Sequence, residues 1–227
     1  MNKNLQSLQV LKKTAITAAI LLMCSGVQAQ TTIYSFGTQI SSPWQQTTFQ
    51  PTGTFAALSV TSTDSMHYVF DLQVASNFGT LFGSPDARIG GVAFNTSNVE
   101  PVAGSVHLLA GTNGVSNIWY SLGDVTLGGI AFDFTEGWYG STSANSKLTS
   151  GERAVWEASF AAPTSFVAPP FALKVFGIGG NESAQAWYVP SSVTPVPEPE
   201  TYAMLLAGLG MLGFAARRRK QKEAAAA

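Results

Sequence analysis

The stretch "MHYVFDLQV", residues 66–74, places Met66, Tyr68, Phe70, Leu72 and Val74 on one phase and His67, Val69, Asp71 and Gln73 on the other. A period of two marks a strand with one buried face and one wet face. Comparable runs lie on both sides of it: "TFAALSVTS" (54–62), "RIGGVAFN" (88–95), "GSVHLLAG" (104–111), "NIWYSL" (117–122), "GGIAFDFTE" (128–136), "AVWEASF" (154–160), "FALKVFGIG" (171–179) and "AWYVP" (186–190). Gly, Ser, Asn, Thr and Pro clusters separate them, as turns require. Helical periodicity is absent from this region apart from one turn expected at "SNVEPVAG" (97–104), and no repeat of fixed period occurs. The pattern predicts a mainly β body over residues 30–189, an antiparallel β-sandwich that is jelly-roll-like in one variant.

Charge is segregated along the chain. Lys3, Lys12 and Lys13 lie at the front, and Arg217, Arg218, Arg219, Lys220 and Lys222 at the tail. Between residues 30 and 190 only Arg88, Lys147, Arg153 and Lys174 are basic, against ten acids, a formal charge of −6. An acidic body with four scattered bases has no footprint for nucleic-acid phosphate, so no nucleic-acid partner is expected.

Residues 1–29 read as a secretory signal peptide. Lys12 and Lys13 close a basic region, "TAITAAILLM" is the apolar run, and Val27 and Ala29 are small where a signal peptidase requires it. Cleavage is expected between Ala29 and Gln30. It would remove Cys24 and leave a mature chain without cysteine, hence without disulfide or thiol chemistry.

At the other end, "PSSVTPVPEPET" (190–201) is expected to be a stiff, extended linker, because its prolines disfavour helix. Residues 202–216 then run uncharged, a transmembrane helix of roughly 23 Å against a bilayer core of about 30 Å. Tyr202 at one interface and snorkelling arginines at the other make up the difference. The basic residues 217–227 form a cytoplasmic tail by positive-inside logic, and the signal peptide puts the body on the opposite side. "GLGMLG" (208–213) matches G-x-G-x-x-G only formally. No strand precedes it and no acid follows at the required distance.

Pro197-Glu198-Pro199, an apolar run and the cluster Arg217, Arg218, Arg219 and Lys220 together resemble the PEP-CTERM sorting signal of Gram-negative bacteria. The same segment also goes by the name ice-binding protein C-terminal domain, which carries no evidence of ice binding by this body. The resemblance implies a chain exported through the inner membrane, anchored there transiently and cut by an exosortase near Pro197. It also implies release or transfer to the cell surface or extracellular matrix, in association with exopolysaccharide. The family of the body itself is not recognised.

Chemistry in the body is sparse. His67 and His107 stand on separate strands, too few for a zinc site, and no metal or other cofactor is expected. Loop oxygens in "GSPDARIGG" (83–91) and "GGNES" (179–183) leave calcium open, without an EF-hand pattern. No G-x-S-x-G elbow occurs. Asp133 and Glu136 are the best candidate pair for a glycosidase, but strand alternation explains them better: Asp133 alternates outward between Phe132 and Phe134, and "TEGW" closes the strand. Three Trp-Tyr pairs, in "IWYS", "GWYG" and "AWYV", should each turn one ring inward and one outward. Trp138 and Tyr139 are the candidate glycan contacts, since an exposed ring stacks on a sugar. These readings predict a non-enzymatic exported surface or matrix protein with no catalytic residues. The alternative is a secreted polysaccharide-binding or polysaccharide-degrading protein with the same tail. An ice-adsorbing module would need a regular array of Thr or Ser, which the lack of a repeat argues against.

Overall fold

The computed structural model describes residues 29–40, 48–62, 64–96, 98–112, 115–140, 147–196 and 206–213. Among the described residues ten strands make up the body: β1 (Gln30–Ile40), β2 (Ala56–Ser62), β3 (His67–Val74), β4 (Arg88–Phe94), β5 (His107–Gly111), β6 (Val115–Leu127), β7 (Ile130–Gly140), β8 (Arg153–Ser159), β9 (Phe171–Phe176) and β10 (Gln185–Val196). The decisive stretch is β3, in which Tyr68, Phe70, Leu72 and Val74 are buried while His67, Val69 and Gln73 are exposed. A single turn of helix, α1 (Phe78–Leu81), follows it and packs Phe78 and Phe82 against Phe55. The turn expected at 97–104 is not helical in its described residues.

The expected sandwich has two sheets. The structure has one. Antiparallel ladders join all ten strands in the order β5-β8-β3-β2-β1-β10-β9-β4-β7-β6. The sheet curls until its two edge strands, β5 and β6, meet where they are joined through residues 112–114. Gly111 lies so close there that a Cβ would fall 2.9 Å from Val115. The result is a nearly closed barrel. Bulges supply the bend: the β1–β10 register shifts between Ser35 and Phe36 and again between Phe36 and Thr38. A bulge sharpens local twist and turns the strand.

The inner faces share one aromatic core. Phe70 stacks on Trp156 at 5.3 Å, Phe94 stacks on Phe134 at 4.5 Å, and Trp138 meets Trp156 edge-on at 5.8 Å. Such rings bury large apolar areas and favour these offset and edge-on contacts.

A second, smaller cluster lies on the outer face and contains Ala93, Leu127, Phe132, Ala172 and Trp187. For Ala93, Ala172 and Trp187 the face follows from alternation, because Val92 and Phe94, Phe171 and Leu173, and Ala186 and Tyr188 belong to the inner core; Leu127 and Phe132 join the cluster by contact. The tip of the β6–β7 hairpin supplies its cover. That hairpin turns at Gly128 (φ 57°) and Gly129 (φ 80°), a pair of left-handed residues that suits a two-residue turn. Val125, Leu127, Ile130 and Phe132 then lie over Ala93, Ala172 and Trp187.

Candidate functional site: the sorting segment and its junction with the body

The proline-rich stretch expected as a free spacer begins as strand. β10 continues through Val196, and its second half pairs with β1 in the register Ser35↔Ser192, Tyr34↔Val193, Ile33↔Thr194, Thr32↔Pro195 and Thr31↔Val196. Pro190 falls at the bulge, where a residue without an N–H is tolerated. Gly37 fits there because a Cβ would come 3.0 Å from the Gly53 carbonyl oxygen and 3.2 Å from Ser191 Oγ. The Ser191 hydroxyl donates to the Ser35 carbonyl at 3.0 Å. β9 pairs with β10 only from Gln185 to Tyr188, so among the described residues the outer half of β10 is paired on one side. Ser191 to Val196 are exposed.

This register brings the two ends of the body together. Gln30 begins β1, Val196 ends β10, and the two strands run side by side, about 5 Å apart. The expected signal cleavage point between Ala29 and Gln30 and the start of the Pro197-Glu198-Pro199 motif therefore lie at the same end of one ladder. The motif itself, the basic cluster Arg217, Arg218, Arg219 and Lys220, and residues 1–28 of the signal peptide lie outside the described residues.

The helix expected over 202–216 is described only at 206–213, where all residues but Gly208 are exposed. Eight residues of helix span about 12 Å. Among the described residues no helix is long and apolar enough to cross a membrane. Residues 202–205 and 214–216 of the expected span lie outside the described residues.

The candidate chemistry in the body is rearranged by the fold. Asp133 and Glu136 are three apart on β7 and so project to opposite faces. Asp133 is buried and accepts from the Thr96 backbone N–H at 2.5 Å and from the Thr96 hydroxyl at 2.9 Å. It serves as a clasp for that loop. Glu136 is buried in the core and accepts from Trp156 Nε1 at 2.6 Å, while its Oε1 has no partner. Burial pushes its carboxyl up to about 8, against the pull of the Trp156 hydrogen bond. It is therefore a neutral acid at physiological pH. Two carboxylates held on opposite faces do not form a glycosidase pair.

Trp138, expected as a glycan contact, is 1% exposed, held edge-on against Trp156. A sugar cannot stack on it in this structure. The sequence pattern misplaced it because Trp138 shares a face with Phe134 and Glu136, and that face became the inside of the curl. Tyr139 pairs through its backbone with Asn117, and its side chain lies outside the described residues. In "AWYV" both rings are buried: Tyr188 points inward, and the hairpin tip covers Trp187. Trp119 and Tyr120 are half-buried, with Trp119 lying over Gly137 where a Cβ would come 2.7 Å from the indole.

His67 is exposed and pairs with Asp64, Nδ1 to Oδ2 at 2.7 Å. His107 is exposed on β5. Among the described residues no three His, Cys, Asp or Glu side chains gather as metal ligands.

The comparisons with known proteins bear on the tail. The profile of the PEP-CTERM protein-sorting motif matches residues 195–220. The chain thus carries a sorting motif characteristic of exported proteins processed by an exosortase. The match begins at Pro195, inside the last paired residues of β10. No curated protein and no solved structure matches the chain.

Proposed function

We propose that this protein is an exported, non-enzymatic component of the cell surface or extracellular matrix that associates with exopolysaccharide. In this reading a signal peptidase removes residues 1–29. The tail holds the body at the inner membrane for a time, with the C-terminus in the cytoplasm, and an exosortase cuts near Pro197. The observation that carries it is the sorting motif at residues 195–220, which begins where β10 ends. The alternative, an enzyme acting on polysaccharide, loses the residues it would rest on, since Asp133 and Glu136 diverge and Trp138 is buried.

The test is the intact mass of the protein from the outer fraction of native cells, with and without the exosortase. A chain that starts at Gln30 and ends near Pro197, and keeps its tail when the exosortase is missing, supports the reading. A chain that still ends at Ala227 in the membranes of normal cells would sink it. Retention of the released body on isolated exopolysaccharide then tests the association.

A further inference from the structure

Three of the four bases of this acidic body meet at one place on the outer face of the sheet. The β4–β9 register sets Arg88 opposite Phe176, with Lys174 on the same face two residues earlier. The bridge between Ile89 and Leu148 brings Lys147 alongside. The Phe176 ring lies over Gly90, where a Cβ would fall 2.4 Å from it, so only glycine leaves room for the ring. The ammonium groups of Lys147 and Lys174 each stand 4.9 Å from the centre of that ring, so neither is farther from the other than twice that distance. Lys174 also lies 5.6 Å from the Trp187 ring.

The three cations have little counter-charge beside them: Arg88 Nη1 donates to the Asp86 carbonyl at 3.2 Å, and Glu182 acts on Lys147. Among the described residues the ion pairs are His67–Asp64 and Arg153–Asp71, and none involves Arg88, Lys147 or Lys174. Arg88 Nε is buried without a hydrogen-bond partner. Burial lowers the Lys147 ammonium, and Arg88 lowers it further, partly countered by Glu182. Burial also lowers Lys174, and Lys147 adds to the effect. Packing over the aromatic rings would need only the alkyl stems. Glu182 acts on Lys147 but forms no ion pair with the cluster among the described residues, so gathering three cations there needs another reason.

We propose that Arg88, Lys147 and Lys174 form a binding site for one oxyanion group, a carboxylate, sulfate or phosphate, seated beside the Phe176 ring. Arg88 offers directed N–H donors and the two lysines offer point charges. Binding would neutralise the mutual repulsion of the three. The site is built by the body alone and does not depend on the fate of the tail.

The test titrates the full chain in mild detergent at low ionic strength, where charge interactions are least screened. Sodium sulfate, inorganic phosphate, acetate and an oligogalacturonate are added separately. Amide signals of Gly90, Lys174 and Phe176 and the indole signal of Trp187 are followed by NMR. Saturable shifts confined to these signals are expected for at least one anion. The Lys147→Gln/Lys174→Gln variant should weaken binding by about tenfold or more while its unfolding midpoint stays near that of the parent. If the double variant does not fold, Lys147→Gln alone carries the test. Saturation by sulfate or phosphate identifies a small-anion site. Saturation by oligogalacturonate at far lower group concentration than acetate identifies a carboxylate-bearing polymer. Shifts that never saturate, or binding unchanged when the lysine charges are removed, would overturn the proposal.

Discussion

On β9, Phe171, Leu173 and Val175 face the enclosed core, while Ala172, Lys174 and Phe176 face outward. The inner set is sealed by the curl of the whole sheet. The outer set is covered only where the β6–β7 hairpin tip reaches it, over Ala172 and Trp187. Beyond that tip the same face carries Lys174 and Phe176, half-buried and next to two more cations. One strand thus borders an enclosed interior, a lidded apolar patch and a charged surface. Neighbouring residues differ in environment because of what lies over them rather than because of the strand they share.

The strongest test of the inner face is Trp156→Ala. It removes the ring that stacks on Phe70 and meets Trp138 edge-on, and with it the Nε1 donor to Glu136. The loss should be about 4–5 kcal/mol, a large aromatic cavity plus a buried carboxyl without its partner. Urea unfolding measures it. A loss below about 1 kcal/mol would mean that the interior is not the close-packed core described.

Glu136 sharpens the same comparison through pH. Its carboxyl keeps its proton to about 8 when folded, against the ordinary glutamate value of 4.5. Between those values the folded state holds a proton that the unfolded chain has released. The group's contribution to stability is greatest below 4.5, falls as pH rises and levels off above 8. The slope within that window approaches about 1.4 kcal/mol per pH unit from this one group. Glu136→Gln stays neutral and keeps an acceptor for Trp156. It should flatten that slope and be more stable than the parent at pH 8 by a few kcal/mol, on the order set by the same linkage. Parallel curves for the two proteins from pH 5 to 9 would show that Glu136 is not buried as described.

The outer cluster should respond more weakly. Phe132→Ala removes one ring from a small patch covered only by a hairpin tip, and about 2–3 kcal/mol is expected, below the ~3–5 kcal/mol typical of a fully enclosed phenylalanine. The distinguishing readout is Trp187, whose indole should become accessible to a fluorescence quencher. Equal costs for Phe132→Ala and an inner substitution such as Phe70→Ala would erase the distinction between the faces.

The strands were legible where one face is buried and the other wet. β3 is the clear case, and β8 follows the same rule, with Ala154, Trp156 and Ala158 buried in alternation. β1 was not legible, because its bulges break the alternation and its polar residues are partly covered by β2 and β10. The single curled sheet was not legible either, since alternation specifies that a face is buried but not which strand pairs with which. The same gap misplaced the aromatics. Trp138 and Trp187 each occupy a predictable phase, yet one became core and the other was covered by a hairpin distant in sequence. The sorting tail was legible because its signal is local: prolines, an apolar run and a basic block in fixed order. The cluster of Arg88, Lys147 and Lys174 had no such signal, as its members are scattered along the chain and meet only through strand register.

The smallest expected effect concerns the junction between body and tail. A chain ended after Val196 retains the whole β1–β10 pairing, from Ile40↔Trp187 to Thr31↔Val196. Its unfolding midpoint should match that of the chain with the tail, because nothing described beyond Val196 adds to the sheet. A chain ended after Pro190 loses the pairing of Thr31 to Ser35 and leaves the first half of β1 joined to β2 alone. Since the removed residues are exposed and polar or small, the cost is mainly lost backbone pairing, about 1–2 kcal/mol, or a fall of several degrees in midpoint. The contrast between the two chains bears on processing. A cut at or after Pro197 would leave the released body intact, whereas one a few residues earlier would remove part of the sheet. If both truncations leave the midpoint unchanged, the second half of β10 is not held by β1, and the motif would follow a free spacer rather than a paired strand.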